Sequence, residues 1–89
     1  MIEEEVEIVN KLGLHARAAA KLVKVASSFY SDIKISRSDK SINAKSIMGL
    51  MMLAAGKGAM VVITVDGVDE NQAMMELKRL IKDRFGEPE

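Results

Sequence analysis

Residues Glu3–Ser28, EEEVEIVNKLGLHARAAAKLVKVASS, change hydrophobic period once, and that change decides the fold class. From Glu3 to Val9 apolar and charged residues alternate, with Val6 and Ile8 set among Glu5 and Glu7, the period of two expected of a strand with one buried face. Asn10, Lys11 and Gly13 interrupt the alternation. From Ala16 to Ser28 the period becomes helical: Ala16, Ala19, Leu22, Val23 and Ala26 fall on one face, Arg17, Lys21, Lys24 and Ser28 on the other. A strand leading into an amphipathic helix therefore opens the chain.

The same two periods recur downstream. Asp32 to Ser36 alternates through Ile33 and Ile35, and the polar turn Arg37-Ser38-Asp39-Lys40 precedes a short strand, Ser41 to Ala44, so a β-hairpin is predicted. Ser46 to Ala55 carries six large apolar residues, fits a short helix and stops at Gly56-Lys57-Gly58. Met60 to Val65, apolar and β-branched, reads as a central strand ended by Asp66-Gly67. Asp69 followed by Gln72 fits a helix N-cap, and Ala73, Met74, Leu77, Leu80 and Ile81 continue a helical stripe to Arg84. Lys78, Arg79, Lys82 and Arg84 oppose that helix's dipole. The order β-α-β-β-α-β-α predicts an α+β fold, a four-stranded antiparallel sheet with the helices on one face. One domain over residues 1–89 is expected, ordered from 2 to 85, with the tail Gly86-Glu87-Pro88-Glu89 frayed.

Composition narrows the function. Leu, Ile, Val and Phe supply 25 of 89 residues, above the level of roughly 20% below which chains stay disordered. Thirteen basic and thirteen acidic residues cancel, which argues against nucleic-acid binding by counterion release. With no cysteine there is no disulfide and no thiolate zinc site, and with one histidine any metal or haem site would rest on carboxylates, so neither metal nor cofactor is expected. Glu3-Glu4-Glu5 alternates faces and cannot converge on an ion. No apolar run is long enough for a membrane span, and MIEEEVEI is acidic where a signal peptide is basic, so a cytoplasmic protein with no membrane association is expected. Gly56-Lys57-Gly58 is not a phosphate loop, because Met51 and Gly58 stand where a Walker motif needs glycine and Ser or Thr.

His15 lies where strand pattern gives way to helix pattern, beside backbone N–H groups that a helix start leaves unpaired. That environment favours anions over an imidazolium and keeps the ring nucleophilic. Arg17 adds a forked donor suited to phosphate oxygens. By itself, a histidine in this position is more often a capping or surface residue than a functional one. Ser46 precedes the short apolar helix and reads as its N-cap; a phosphate there would add negative charge at a helix start. On helical spacing Ile47, Leu50, Met51 and Ala54 pack inward, leaving Met48 and Met52 either as gap-filling core residues or as an adaptable surface.

Gly13-Leu14-His15-Ala16-Arg17-Ala18-Ala19-Ala20-Lys21 resembles the active-site signature of the HPr family, the histidine-containing phosphocarriers of the bacterial phosphotransferase system. Asn43-Ala44-Lys45-Ser46-Ile47-Met48-Gly49-Leu50-Met51 resembles that family's regulatory serine segment. The resemblance covers roughly residues 3 to 84 and implies an open-faced β-sandwich. It implies a carrier rather than an enzyme: His15 takes a phosphoryl group on Nδ1 from phosphorylated Enzyme I, charged by phosphoenolpyruvate, and passes it to an Enzyme IIA domain. Arg17 would steady the phosphoryl group, and Ser46 would be the target of an HPr kinase/phosphorylase. Ile47, Met48, Met51 and Met52, with Leu14 and Ala18, would form the docking surface of a monomeric carrier. Two positions depart from the family pattern: Ala18 stands where proline is common, and Leu12 where many members have a polar residue. The segment is closer to Gram-negative members, including those serving regulatory relays, so a sugar permease downstream is not assumed. A regulatory adaptor, switched by phosphorylation without driving transport, is the alternative; a ferredoxin-like metabolite-binding module also suits the element order.

Overall fold

Seven elements follow the predicted order in the computed structural model, which describes residues 1–89. They are β1 (Ile2–Glu7), α1 (Ala16–Ser27), β2 (Asp32–Arg37), β3 (Lys40–Asn43), α2 (Ile47–Met52), β4 (Met60–Asp66) and α3 (Glu70–Lys82), followed by a 3-10 turn, Arg84–Gly86. The strands form one antiparallel sheet in the order β1-β4-β2-β3. β4 is central: Val65 faces Ile2 of β1 and Ile33 of β2, and Val61 faces Val6. A ferredoxin-like sheet has its first and third strands at the centre. Here those two strands are the edges, so that alternative is set aside.

Alternation along the strands sends Val6, Ile33, Ile35, Val61, Ile63 and Val65 toward the helices, where they join Leu22, Leu50, Leu77 and Ile81 in one buried cluster of 21 residues. The opposite sheet face is open. Val62, inside an unbroken apolar run, is only half-buried because its cross-strand neighbours on that face are Glu5 and Ser36. Glu3, Glu4 and Glu5 are all exposed, as expected of a solvated edge.

Three details of the helices differ from the sequence reading. In α1 the buried line is Ala18, Ala19, Leu22 and Ala26, and Ala16 is exposed. In α2 only Leu50 is buried, with Leu53 just after it; Ile47, Met51 and Ala54, expected to pack inward, are exposed. Six residues give this helix a single inward line, and the backbone turns left-handed at Ala54 (φ 52°) before another turn can form.

Asp69 is the N-cap residue of α3, but its carboxylate does not cap the helix. It accepts hydrogen bonds from Ser31 Oγ (2.5 Å), Ser31 N (3.0 Å) and Tyr30 N (2.9 Å), tying the start of β2 to the start of α3. Chiefly the Ser31 hydroxyl, then the Tyr30 amide, hold this carboxyl below its ordinary value of 3.8. A folded-state value below the unfolded one means the stabilisation is complete above 3.8 and is lost as pH falls through the lowered value. Asp69→Asn is therefore expected to destabilise the protein at neutral pH and to flatten the acid limb of its stability curve, measured by urea unfolding at neutral and acid pH.

Candidate functional site

The site is built where β1 ends and α1 begins. Gly13 adopts φ 66°, a left-handed backbone that lets the loop turn sharply into the helix, and Leu14 N donates to Ala55 O at 2.9 Å, pinning that turn to the segment after α2. His15 is the N-cap residue of α1, with extended backbone (φ −77°, ψ 177°) and no side-chain capping bond. Its carbonyl accepts the first helical hydrogen bond, from Ala19 N at 2.8 Å. The amides of Ala16, Arg17 and Ala18 precede that bond and have no carbonyl a turn back to donate to. The imidazole makes no capping bond, so it does not use these three donors of the helix start.

The tail, expected to fray, packs against this loop instead. Phe85 is fully buried and anchors it. Lys21 Nζ donates to Phe85 O at 2.6 Å, Lys11 N donates to Glu89 O at 2.8 Å, and Lys11 Nζ pairs with Glu89 Oε2 at 3.3 Å. Between these ties Glu87 reaches the histidine: His15 Nε2 and Glu87 Oε2 lie 2.5 Å apart. Glu87 Oε1 accepts from Asn10 Nδ2 at 3.0 Å, and the same nitrogen donates to Gly13 O at 2.8 Å. Asn10 first, then His15, hold the Glu87 carboxyl below its ordinary range, so it is ionised at neutral pH. An ionised carboxylate only accepts, so the proton in this contact belongs to Nε2, and in the neutral ring the lone pair then belongs to Nδ1.

His15, Arg17, Leu12, Lys11, Glu87, Pro88 and Glu89 line one shallow depression. Arg17 is exposed and takes part in none of the chain's ion pairs, leaving its fork of donors at the rim. Ser46 caps α2 as read from the sequence, accepting from Gly49 N at 3.1 Å through Oγ. Ser46→Ala is accordingly expected to cost about 1 kcal/mol of stability, measured by chemical unfolding. Ile47, Met48, Met51 and Met52 form an exposed apolar patch on α2. Leu14 and Ala18, expected on the same surface, are core residues at 6% and 0% exposure. The cause is the packing of the β1–α1 junction: α1 packs against α2 and α3, and Ala18 occupies buried space on that side. Asn10 and Glu87 were not legible as site residues, since neither belongs to a periodic pattern and their mutual contact spans 77 positions.

An open-faced sheet with one histidine displayed at the start of the first helix is the architecture of histidine phosphocarriers, proteins that hold a phosphoryl group rather than enzymes that turn substrate over. The chain belongs to the HPr family of the bacterial phosphotransferase system: the family model described as the PTS HPr component phosphorylation site matches residues 2–83. The phosphocarrier protein HPr of Cupriavidus necator is 54% identical over the whole of both chains, and that of Neisseria meningitidis is 51% identical over the whole of both. The crystal structure of HPr from Thermoanaerobacter tengcongensis superposes with a TM-score of 0.96 at 46% identity, covering all of both chains. No helix is long and apolar enough to cross a membrane.

Proposed function

We propose that His15 Nδ1 is the phosphoryl acceptor of this phosphocarrier. The observation that carries the reading is the Glu87 contact at Nε2, which leaves Nδ1 as the ring nitrogen with a free lone pair beside the helix-start amides and Arg17. In transfer, the Nδ1 lone pair forms the N–P bond as the bond from phosphorus to the donor breaks, with its electron pair leaving on the donor. The amides and the Arg17 guanidinium balance the phosphoryl oxygens' charge. Passing the group on reverses these steps, and the N–P electron pair returns to Nδ1. Enzyme I charged by phosphoenolpyruvate is the donor and an Enzyme IIA domain the acceptor, with the α2 patch as their docking surface and the carrier acting as a cytoplasmic monomer. Whether sugar uptake or a regulatory relay lies downstream is set by that acceptor.

The test is incubation with Enzyme I and phosphoenolpyruvate. An acid-labile, base-stable phosphate is expected on the wild type and not on His15→Ala; no label on the wild type overturns the reading.

Ser46 is proposed as a regulatory site for an HPr kinase/phosphorylase. Its position as the cap of the helix that carries the docking patch supports this, because a phosphate there would place new negative charge at the edge of the surface partners use. Kinase labelling is expected on the wild type and not on Ser46→Ala. Ser46→Asp is expected to slow phosphorylation of His15 a few-fold; unchanged kinetics would leave the serine as a cap only.

A further inference from the structure

Glu87 reaches His15 with an orientation dictated from its other side. Asn10 is fully buried, and both hydrogens of its amide nitrogen are used, one on Gly13 O and one on Glu87 Oε1. Its Oδ1 is buried with no partner. Turning the amide over would set Oδ1 against a carbonyl and a carboxylate, both acceptors, so only one orientation is tenable. Asn10 thus demands an acceptor at Glu87 Oε1, and the ionised carboxylate presents a second acceptor to His15 Nε2. The residues that dictate the ring's proton are therefore a buried amide on the β1–α1 loop and a carboxylate on the tail.

We propose that Glu87, held by Asn10, is a positioning residue for phosphoryl transfer: it keeps His15 in the tautomer with the proton on Nε2, so that Nδ1 is always the nucleophile. This deepens the phosphoacceptor reading and rests on it. As the Nδ1–P bond forms, the ring gains positive charge while Nε2 keeps its proton, and the adjacent carboxylate offsets that charge. When the phosphoryl group leaves, the ring returns to the same tautomer, so neither direction of transfer requires a proton to move. The other charges about the ring are Arg17 on α1, Lys11 on the loop and Glu89 on the tail, with Lys21 bound to the Phe85 carbonyl.

Glu87→Gln separates this role from packing and from simple loss of charge. Asn10 still requires an acceptor, so the new amide turns its oxygen toward Asn10 and its NH2 toward His15. That NH2 only donates, Nε2 must accept, and the proton moves to Nδ1, where it blocks the nucleophile. Glu87→Ala imposes no such constraint, and free imidazole already favours the Nε2–H form. The ring tautomer is read from 15N chemical shifts of the unphosphorylated protein, and acceptance is timed with charged Enzyme I and with phosphoramidate, a chemical donor that needs no docking. The expected result is a shift toward Nδ1–H in Glu87→Gln alone and roughly ten- to a hundredfold slower acceptance from both donors, with Glu87→Ala slowed less. A role in packing alone gives the opposite order, since the isosteric amide preserves shape. An Nε2–H ring in Glu87→Gln, or Glu87→Ala slower than Glu87→Gln, overturns the proposal. Failure of the wild type to take phosphate from either donor overturns the phosphoacceptor reading itself, independently of the 15N result.

Discussion

Phe85→Ala is expected to cost roughly 3–5 kcal/mol, a large part of the total stability of a domain this size. Phe85 is fully buried and heads the largest side chains of the core, although it lies beyond the last regular helix. Removing the ring leaves a cavity beside α1 and α3, which close over it poorly because they are packed against each other and α3 is held on β1 and β4. The backbone offers no relief: Arg84 and Phe85 both sit at φ 54°, a left-handed conformation that alanine tolerates no better. Thermal unfolding followed by circular dichroism should show a midpoint lower by more than about 10 °C. A loss below about 1 kcal/mol would show that the ring is not anchored as described. The variant also carries a functional expectation, because Phe85 holds the segment that delivers Glu87. Its His15 ring should lose the Nε2 contact, visible as a change in the ring 15N shifts in protein that is still folded.

Gly13→Ala is expected to cost roughly 2–4 kcal/mol and to disturb the site directly. Two effects add. The residue sits at φ 66°, which disfavours any side chain, and an added Cβ would lie 2.4 Å from Ala55 O and 2.7 Å from Gly56 Cα. Both obstacles are backbone atoms, so no side-chain rotation relieves them. Ala55 O also accepts the Leu14 amide, and Gly13 O accepts the Asn10 amide. Moving the loop to admit the methyl therefore strains the bonds that place His15. Two other glycines serve as controls. Gly58 has φ 88° but open space around it, so Gly58→Ala should cost only about 1 kcal/mol. Gly56 has neither constraint, so Gly56→Ala should be neutral or stabilising by up to about 1 kcal/mol. Urea unfolding of the three variants checks the ranking, and similar losses in all three would refute the steric account.

Much of this molecule could be read along the chain because its signals are local. The alternation of Val6 and Ile8, the helical stripe through Ala19, Leu22 and Ala26, and the serine before α2 each depend on neighbours within a few positions. The physical cause is the same: a strand or a helix end is dictated by side-chain direction and unpaired backbone groups close in sequence. His15 was legible for that reason, as the residue at the change of period. Where the reading failed, the deciding contact was distant. Met51 and Ile47 face solvent because a six-residue helix meets the core along one line, and Ala18 is buried because α1 packs against α2 and α3.

By itself, the sequence determined the order of elements, the place of His15 at the change of period and the serine cap, since each is written in adjacent residues. Only the tertiary structure decided that β4 lies between β1 and β2, that the tail folds back on Phe85, and that Glu87 and Asn10 choose which nitrogen of His15 is free. Those outcomes depend on groups distant in the chain meeting in one place, more than seventy residues apart for the Glu87 contacts, and no local period or cap encodes such a meeting.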